Sequence, residues 1–468
     1  MLYQEIADYL RELIAQGVFL PGDKLPSIRL LATQRRVSIA TIQRALEELE
    51  LRGLIYARPK SGFYVNSPDV PANHYPDSIA PLVPKSVKIH EKASQIFAQC
   101  EVEGVMNLGT TYPHSAYAPQ KVLQKLAGAI IKNQMNDVLA VHFSQGNLIL
   151  RENLVKRLNQ SGCQISAEDL IITNGCLEAL SICLRAVAQP GDTIALESPG
   201  FIGLFQLVES LGFRAVEIPC HATEGMSLEA LQLAIEQWEI KAVAIVPTFS
   251  NPLGSNMSEN NRRRLVELLA EKSIPLIEDD LLGDLSFDGS RIRPCKAFDK
   301  KGLVLYCSSA SKTIASGLRV GWIAPGAYFA DVAYFKTFTN ISAPNFAQMV
   351  IAEFFDSGRY DRYLRQLTRQ LAQKVYWFQR LVKQYFPEGT IVSSPTGGCI
   401  LWITLPRGVS GLRVYQGAIE QQIAVVPGEL CSASDKFNHC IRINCACDPE
   451  IDGAFVIKTL AQIVWQLL

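Results

Sequence analysis

The chain has 468 residues, 45 Lys and Arg against 45 Asp and Glu, and 48% hydrophobic residues. That apolar content excludes general disorder and is enough for one large enzyme-sized domain plus a small one. A formal net charge of zero excludes a uniformly basic coat for nucleic acid, but a local basic patch is still compatible with it.

Residues 2–16 place Leu2, Ile6, Leu10, Leu13 and Ile14 at helical spacing. Pro21-Gly22-Asp23 reads as a turn. Ser27 is expected to cap a second helix with Leu30, Leu31 and Ala32 inward. Ser38 is expected to cap a third, with Ile42, Ala45, Leu46 and Leu49 as its inner stripe. Two strands, 54–57 and 62–65, flank Arg58-Pro59-Lys60-Ser61. Three helices and a two-stranded wing make a winged helix-turn-helix, whose third helix enters the DNA major groove. Between residues 29 and 60 stand seven Lys and Arg against three Glu, a local excess suited to phosphates.

Residues 67–86 carry Pro68, Pro71, Pro76, Pro81 and Pro84 and read as an extended linker. From 87 to 468 apolar strands alternate with amphipathic helices, an α/β pattern with a mainly parallel sheet. The candidate chemistry lies in loops after these strands. The buried strand 169–173 runs through Asn174-Gly175-Cys176 into a helix, a turn suited to a phosphate. Phe201 follows the next strand and could stack on a flat ring or belong to the core. Asn251, held extended before Pro252, has an amide free to hydrogen-bond. Glu278-Asp279-Asp280 ends a buried strand, where a carboxylate needs a cationic partner such as a protonated pyridine nitrogen. Lys312 lies among the hydroxyls of Ser308, Ser309, Ser311 and Thr313, and Arg319 follows, a grouping suited to a Schiff-base lysine beside a phosphate clamp.

No stretch approaches the roughly 18 uninterrupted apolar residues of a membrane span, and the first residues lack signal-peptide order, so a cytoplasmic protein without a membrane partner is expected. The 12 cysteines are scattered and read as reduced, mostly buried thiols. The six His residues form no ligand pair, and no metal is expected.

Three stretches of the first region carry a resemblance. They are Pro26 to Ala32, Val37 to Ile42, and the wing with Ser61-Gly62-Phe63-Tyr64-Val65, and they resemble the GntR-type winged-helix domain over residues 2–65. The resemblance implies DNA contacts by Arg29, Ser38, Thr41 and Gly62. Ile39 and Gln43 stand where such domains often carry further arginines, which suggests Gln43 and Arg44 for direct readout; Arg58 and Lys60 join them as basic wing residues.

From about residue 100 onward, the order and spacing of the strand-end motifs resemble fold-type I pyridoxal-phosphate enzymes of the aminotransferase class. By that resemblance Lys312 is the Schiff-base lysine, Asp279 pairs with the pyridine nitrogen, Asn251 bonds the ring hydroxyl and Phe201 stacks on the ring. Gly175, Cys176, Ser309, Ser311 and Arg319 hold the phosphate, and Arg442 grips a substrate carboxylate. Two family tyrosines are absent: Leu281 and Leu282 follow the aspartate, and none stands around Gly146. Cofactor binding is expected to survive these losses better than efficient transamination.

A GntR-type head at 1–66, a linker and an aminotransferase-like body resemble the MocR group of bacterial regulators. That resemblance implies a homodimer on operator DNA, with pyridoxal phosphate as effector or effector-binding cofactor and the body sensing it, an amino compound, or both. The alternative is a working aminotransferase whose head is vestigial or only localising.

Overall fold

In the computed structural model the described residues are 2–15, 23–51, 54–58, 61–65, 82–141, 145–434 and 436–468. Most of the proline-containing stretch, together with Arg52 and Lys60, lies outside them.

The amino-terminal region has helices α1 (Leu2–Ala15), α2 (Ile28–Arg35) and α3 (Ile39–Leu51), then strands β1 (Ile55–Arg58) and β2 (Gly62–Val65). Ser27 Oγ accepts from Leu30 N at 3.3 Å, and Ser38 Oγ accepts from Thr41 N at 3.1 Å. Both expected caps therefore satisfy an otherwise free helix-start N–H. Ile42, Ala45, Leu46 and Leu49 are fully buried against Ile6, Leu10 and Leu31. Leu30, expected inward, is 48% exposed. In a helix of two turns, adjacent apolar residues sit 100° apart, and Leu31 with Ala32 already fills the inner face. β1 and β2 pair antiparallel, with Tyr56 opposite Tyr64.

The large region is built on a mixed sheet. Arg214–His221, Thr193–Ser198, Ile240–Ile245, Leu276–Asp279 and Val304–Ser309 are parallel neighbours in that order. Gly321–Ala324 follows antiparallel, and Ile171–Thr173 pairs antiparallel with it. Ile171–Thr173 is shorter than the strand expected at 169–173, because Ala167–Asp169 forms a 3-10 turn closed by the Ser166 and Asp169 side chains. The central strands are apolar on both faces, as a sheet covered by helices on both sides requires. Lys85 and Ser86, within the stretch read as linker, pair with Ala215 and Arg214.

A second, antiparallel sheet near the carboxyl end joins Ile391–Val392, Ile400–Thr404, Cys440–Asn444 and Val426–Pro427. Its core packs on Tyr360–Tyr385 and Gly453–Leu467. All twelve cysteines are buried and free.

Candidate active site and DNA-binding face

Parallel strands place their carboxyl ends on one edge of a sheet, and here that edge carries the site. A cavity of about 300 Å³ is lined by Cys176, Phe201, Asn251, Asp279, Ser309, Ser311, Lys312, Arg319 and Arg442. Residues from five strand ends and the loops after them, and from the centre of Cys440–Asn444, thus converge. Gly175 lies beside it at the start of the helix Cys176–Val187 with φ +90°. A Cβ there would overlap the Arg319 guanidinium, so glycine is needed for the arginine's approach. Arg319 Nη2 donates to Asn174 O at 3.2 Å.

The three consecutive carboxylates have different surroundings. Glu278 accepts from Cys295 N and Lys296 N at 2.6 and 2.9 Å and faces Arg262 at 4.0 Å. Asp280 pairs with Arg291 and accepts from Tyr306 Oη at 2.9 Å. Asp279 has no ion pair within 4 Å among the described residues; it accepts from Cys176 Sγ at 3.6 Å and Leu281 N at 3.2 Å. Burial raises its pKa to about 7. An acid held half-neutral in a cavity needs a cation, as an approaching protonated ring nitrogen would be.

Lys312 is buried on the same cavity, and burial lowers its pKa to about 8. Its Nζ donates to Thr111 O at 2.7 Å and Thr111 Oγ1 at 2.9 Å. The Tyr112 ring centroid stands 3.7 Å away. The neutral amine is the form that attacks a carbonyl carbon, and the lowered pKa brings it within reach just above neutral pH.

Ser309 Oγ accepts from Ser311 N at 3.2 Å. The Ser311 hydroxyl is buried with no hydrogen-bond partner among the described residues. This orphaned hydroxyl, the helix start at Gly175 and the Arg319 guanidinium form a donor set that fits a phosphate.

Arg442 is buried in the centre of its strand, opposite Trp402. Its Nη1 donates to Asn251 Oδ1 at 3.1 Å and its Nη2 to Gly109 O. Nε has no partner among the described residues. Burial lowers its pKa from the usual arginine value.

Sequence reasoning missed Gly109, Thr110, Thr111 and Tyr112 at this site. They lie in an irregular stretch with no strand-to-helix turn to mark it. The only sequence signal was Gly109 itself, whose Cβ would overlap Cys100 Sγ.

On the winged-helix region, Arg29, Ser38, Gln43, Arg44, Arg58 and Gly62 are exposed and Thr41 is half-buried. Ser38 Oγ and Thr41 Oγ1 lie 2.8 Å apart, so both hydroxyls already serve the start of α3. Arg58 Nη2 donates to Tyr56 Oη at 2.8 Å, and its guanidinium lies 4.5 Å from the Tyr64 ring centroid. Gly62 holds φ +120° at the wing tip.

Residues 2–65 match Bacterial regulatory proteins, gntR family, and residues 103–453 match Aminotransferase class I and II. The chain is 34% identical to the HTH-type transcriptional regulator YjiR of Escherichia coli, over 100% of this chain and 99% of that one.

The chain belongs to the GntR-type regulators fused to an aminotransferase class I and II domain, the MocR architecture.

A second member, YdcR of E. coli, is 31% identical over 100% of this chain and 99% of that protein. Among solved structures, a kynurenine aminotransferase of Pyrococcus horikoshii in complex with PMP aligns with TM-score 0.74 and 27% identity, over 81% of this chain and 95% of that one. In this family member the body has the fold-type I aminotransferase architecture, preceded by the winged helix-turn-helix. No helix among the described residues is long and apolar enough to cross a membrane.

Proposed function

We propose that this chain is a pyridoxal-phosphate-dependent, DNA-binding transcription regulator whose aminotransferase-like body senses the cofactor, an amino compound, or both. One observation carries the cofactor part of it: a buried lysine and a buried carboxylate without an ion pair within 4 Å among the described residues share one cavity beside a phosphate-type donor set. When bound, pyridoxal phosphate supplies an aldehyde for an amine and an electron-withdrawing ring. Lys312 would hold it covalently, Asp279 would keep a proton on its ring nitrogen, Phe201 would stack on the ring and Asn251 would bond the ring hydroxyl. Gly175, Cys176, Ser309, Ser311 and Arg319 would hold the phosphate. Arg442 would meet the carboxylate of an amino compound, with Nε as its uncommitted nitrogen.

The winged-helix region would bind operator DNA through Arg29, Gln43, Arg44, Arg58 and Lys60, with Ser38, Thr41 and Gly62 fixing the backbone that approaches it. A cytoplasmic homodimer suits this role, because two heads read two half-sites. Exposed Tyr334 and Phe338, with ring centroids 4.9 Å apart, support association through the body. The ligand would act by binding two head placements with different affinity, about 1.4 kcal/mol per tenfold.

The second reading is a working aminotransferase with a vestigial or localising head. The complete lysine, carboxylate and arginine set favours it. Genome footprinting with and without pyridoxal phosphate, beside the visible spectrum of the protein and of Lys312→Ala, tests the regulator. Operator affinity independent of cofactor in both proteins would sink the coupling. Fast single-turnover conversion of the cofactor to its amine form, without sequence-specific DNA binding, would favour the enzyme.

A further inference from the structure

We propose that Thr111 and Tyr112 are positioning residues for Lys312: they clasp its ammonium and set the pH at which it captures the cofactor aldehyde. The inference rests on the cofactor reading above and concerns residues outside the strand-end motifs.

The clasp has three faces. Thr111 O and Thr111 Oγ1 accept from Nζ at 2.7 and 2.9 Å, and the Tyr112 ring covers it at 3.7 Å. A carbonyl oxygen, a hydroxyl lone pair and an aromatic face each favour the charged amine over the neutral one. Burial works against them and wins in part, since the lysine pKa falls to about 8. Other groups face Nζ from their own elements. Asp279, on Leu276–Asp279, favours its charge and Arg442, on Cys440–Asn444, opposes it, while burial keeps the facing Cys399 and Cys176 thiols protonated.

The clasp is itself anchored. Gly109 N and Thr110 N donate to Asn107 Oδ1 at 3.0 and 3.1 Å. Asn444 Nδ2 donates to Tyr112 O at 2.9 Å, and His114 N donates to Ala446 O at 2.8 Å. Arg442 Nη2 donates to Gly109 O. The segment is thus tied to the Arg442 strand on both sides of Thr111, which fixes the backbone that carries the partly exposed Tyr112 ring.

Capture needs the neutral amine. The ammonium gives up one proton to solvent. Nζ then forms a carbon–nitrogen double bond to the aldehyde carbon, and the aldehyde oxygen leaves as water with the two remaining N–H protons. Whatever stabilises the ammonium therefore moves capture to higher pH.

The experiment titrates Lys312 twice in the full chain. In the cofactor-free protein, acetic anhydride labelling of the Lys312 peptide is followed against pH by mass spectrometry. In parallel, pyridoxal phosphate is added, trapped with borohydride and located on the same peptide. Tyr112→Leu should move both midpoints down by roughly half to one pH unit, and Thr111→Val should move them the same way. Tyr112→Phe keeps the ring face and should keep the wild-type midpoint. Unchanged midpoints in Tyr112→Leu and Thr111→Val, with the wild-type adduct present on Lys312, would overturn the clasp alone. Equal shifts in Tyr112→Leu and Tyr112→Phe would overturn the ring's part in it. No wild-type adduct on Lys312 would overturn the cofactor reading and the capture role together, while the labelling midpoint would still judge the ammonium clasp.

Discussion

Asp279 differs from its neighbours Glu278 and Asp280 in lacking an arginine, and this difference has a measurable consequence. Its folded pKa lies near 7, above the usual 3.8, because burial penalises the charge. The folded chain therefore holds more protons than the unfolded chain between those values. Stability is full below the unfolded pKa and is lost as pH rises through the folded one. Glu278, raised to about 7, and Glu197, raised to about 8, act in the same direction. The melting temperature of the cofactor-free chain should fall from about pH 5 to about pH 8. Asp279→Asn should make that slope shallower, and saturating pyridoxal phosphate should do so too, by supplying the missing cation. A wild-type slope that the cofactor leaves untouched would contradict the role given to Asp279. Arg262 offers the opposite test. It is fully buried and donates to Met257 O, Thr248 Oγ1, Pro247 O and Asn256 Oδ1. Arg262→Leu leaves these acceptors without their donor and Glu278 without its facing cation, and should cost about 3–5 kcal/mol by urea denaturation.

At the scale of elements, the helix caps were legible because they are local chemistry. Ser27 and Ser38 each precede an apolar periodic run, and each accepts the N–H that a helix start leaves free. Ser27→Ala should weaken α2 by about 1 kcal/mol, read as roughly fivefold faster amide exchange in Leu30 and Leu31. The inner stripe of α3 was equally legible, because thirteen residues give the helical period room to show. Leu30 was not, because α2 spans only eight. The strand-end loops could be read for a similar reason: a buried apolar run followed by small or polar residues marks where a parallel strand delivers its side chains. Asn251, Asp279 and Lys312, from three such ends, line one cavity. The Thr111 clasp could not be read this way. It meets Lys312 from 201 residues away in sequence, through a backbone carbonyl that carries no residue-type signal.

At the scale of the whole molecule, zero net charge conceals a division. Seven Lys and Arg face three Glu between residues 29 and 60, where Arg29, Arg44 and Arg58 are exposed. Each phosphate contact releases condensed counterions, so log affinity falls against log salt with a slope of about −0.9 per contact. Wild-type operator binding should therefore be steeply salt-dependent. Substitutions can then sort contacts by kind. Arg29→Ala, at the start of α2, should weaken all sequences about equally and reduce the slope by about one, as a phosphate contact does. Arg44→Ala, on the outer face of α3, should cost about 1–3 kcal/mol and relax preference at one base position. The body enters through linkage. If cofactor occupancy at Lys312 changes how two heads are placed, operator affinity must change with pyridoxal phosphate, and cofactor affinity must change with operator by the same factor. Fluorescence anisotropy of a labelled operator gives the first quantity, and a cofactor titration with and without operator gives the second. Equal factors different from one are expected in wild type, with Lys312→Ala bringing both toward one. A cofactor effect on DNA binding without the reciprocal effect would mean that the effect does not come from cofactor bound to this chain.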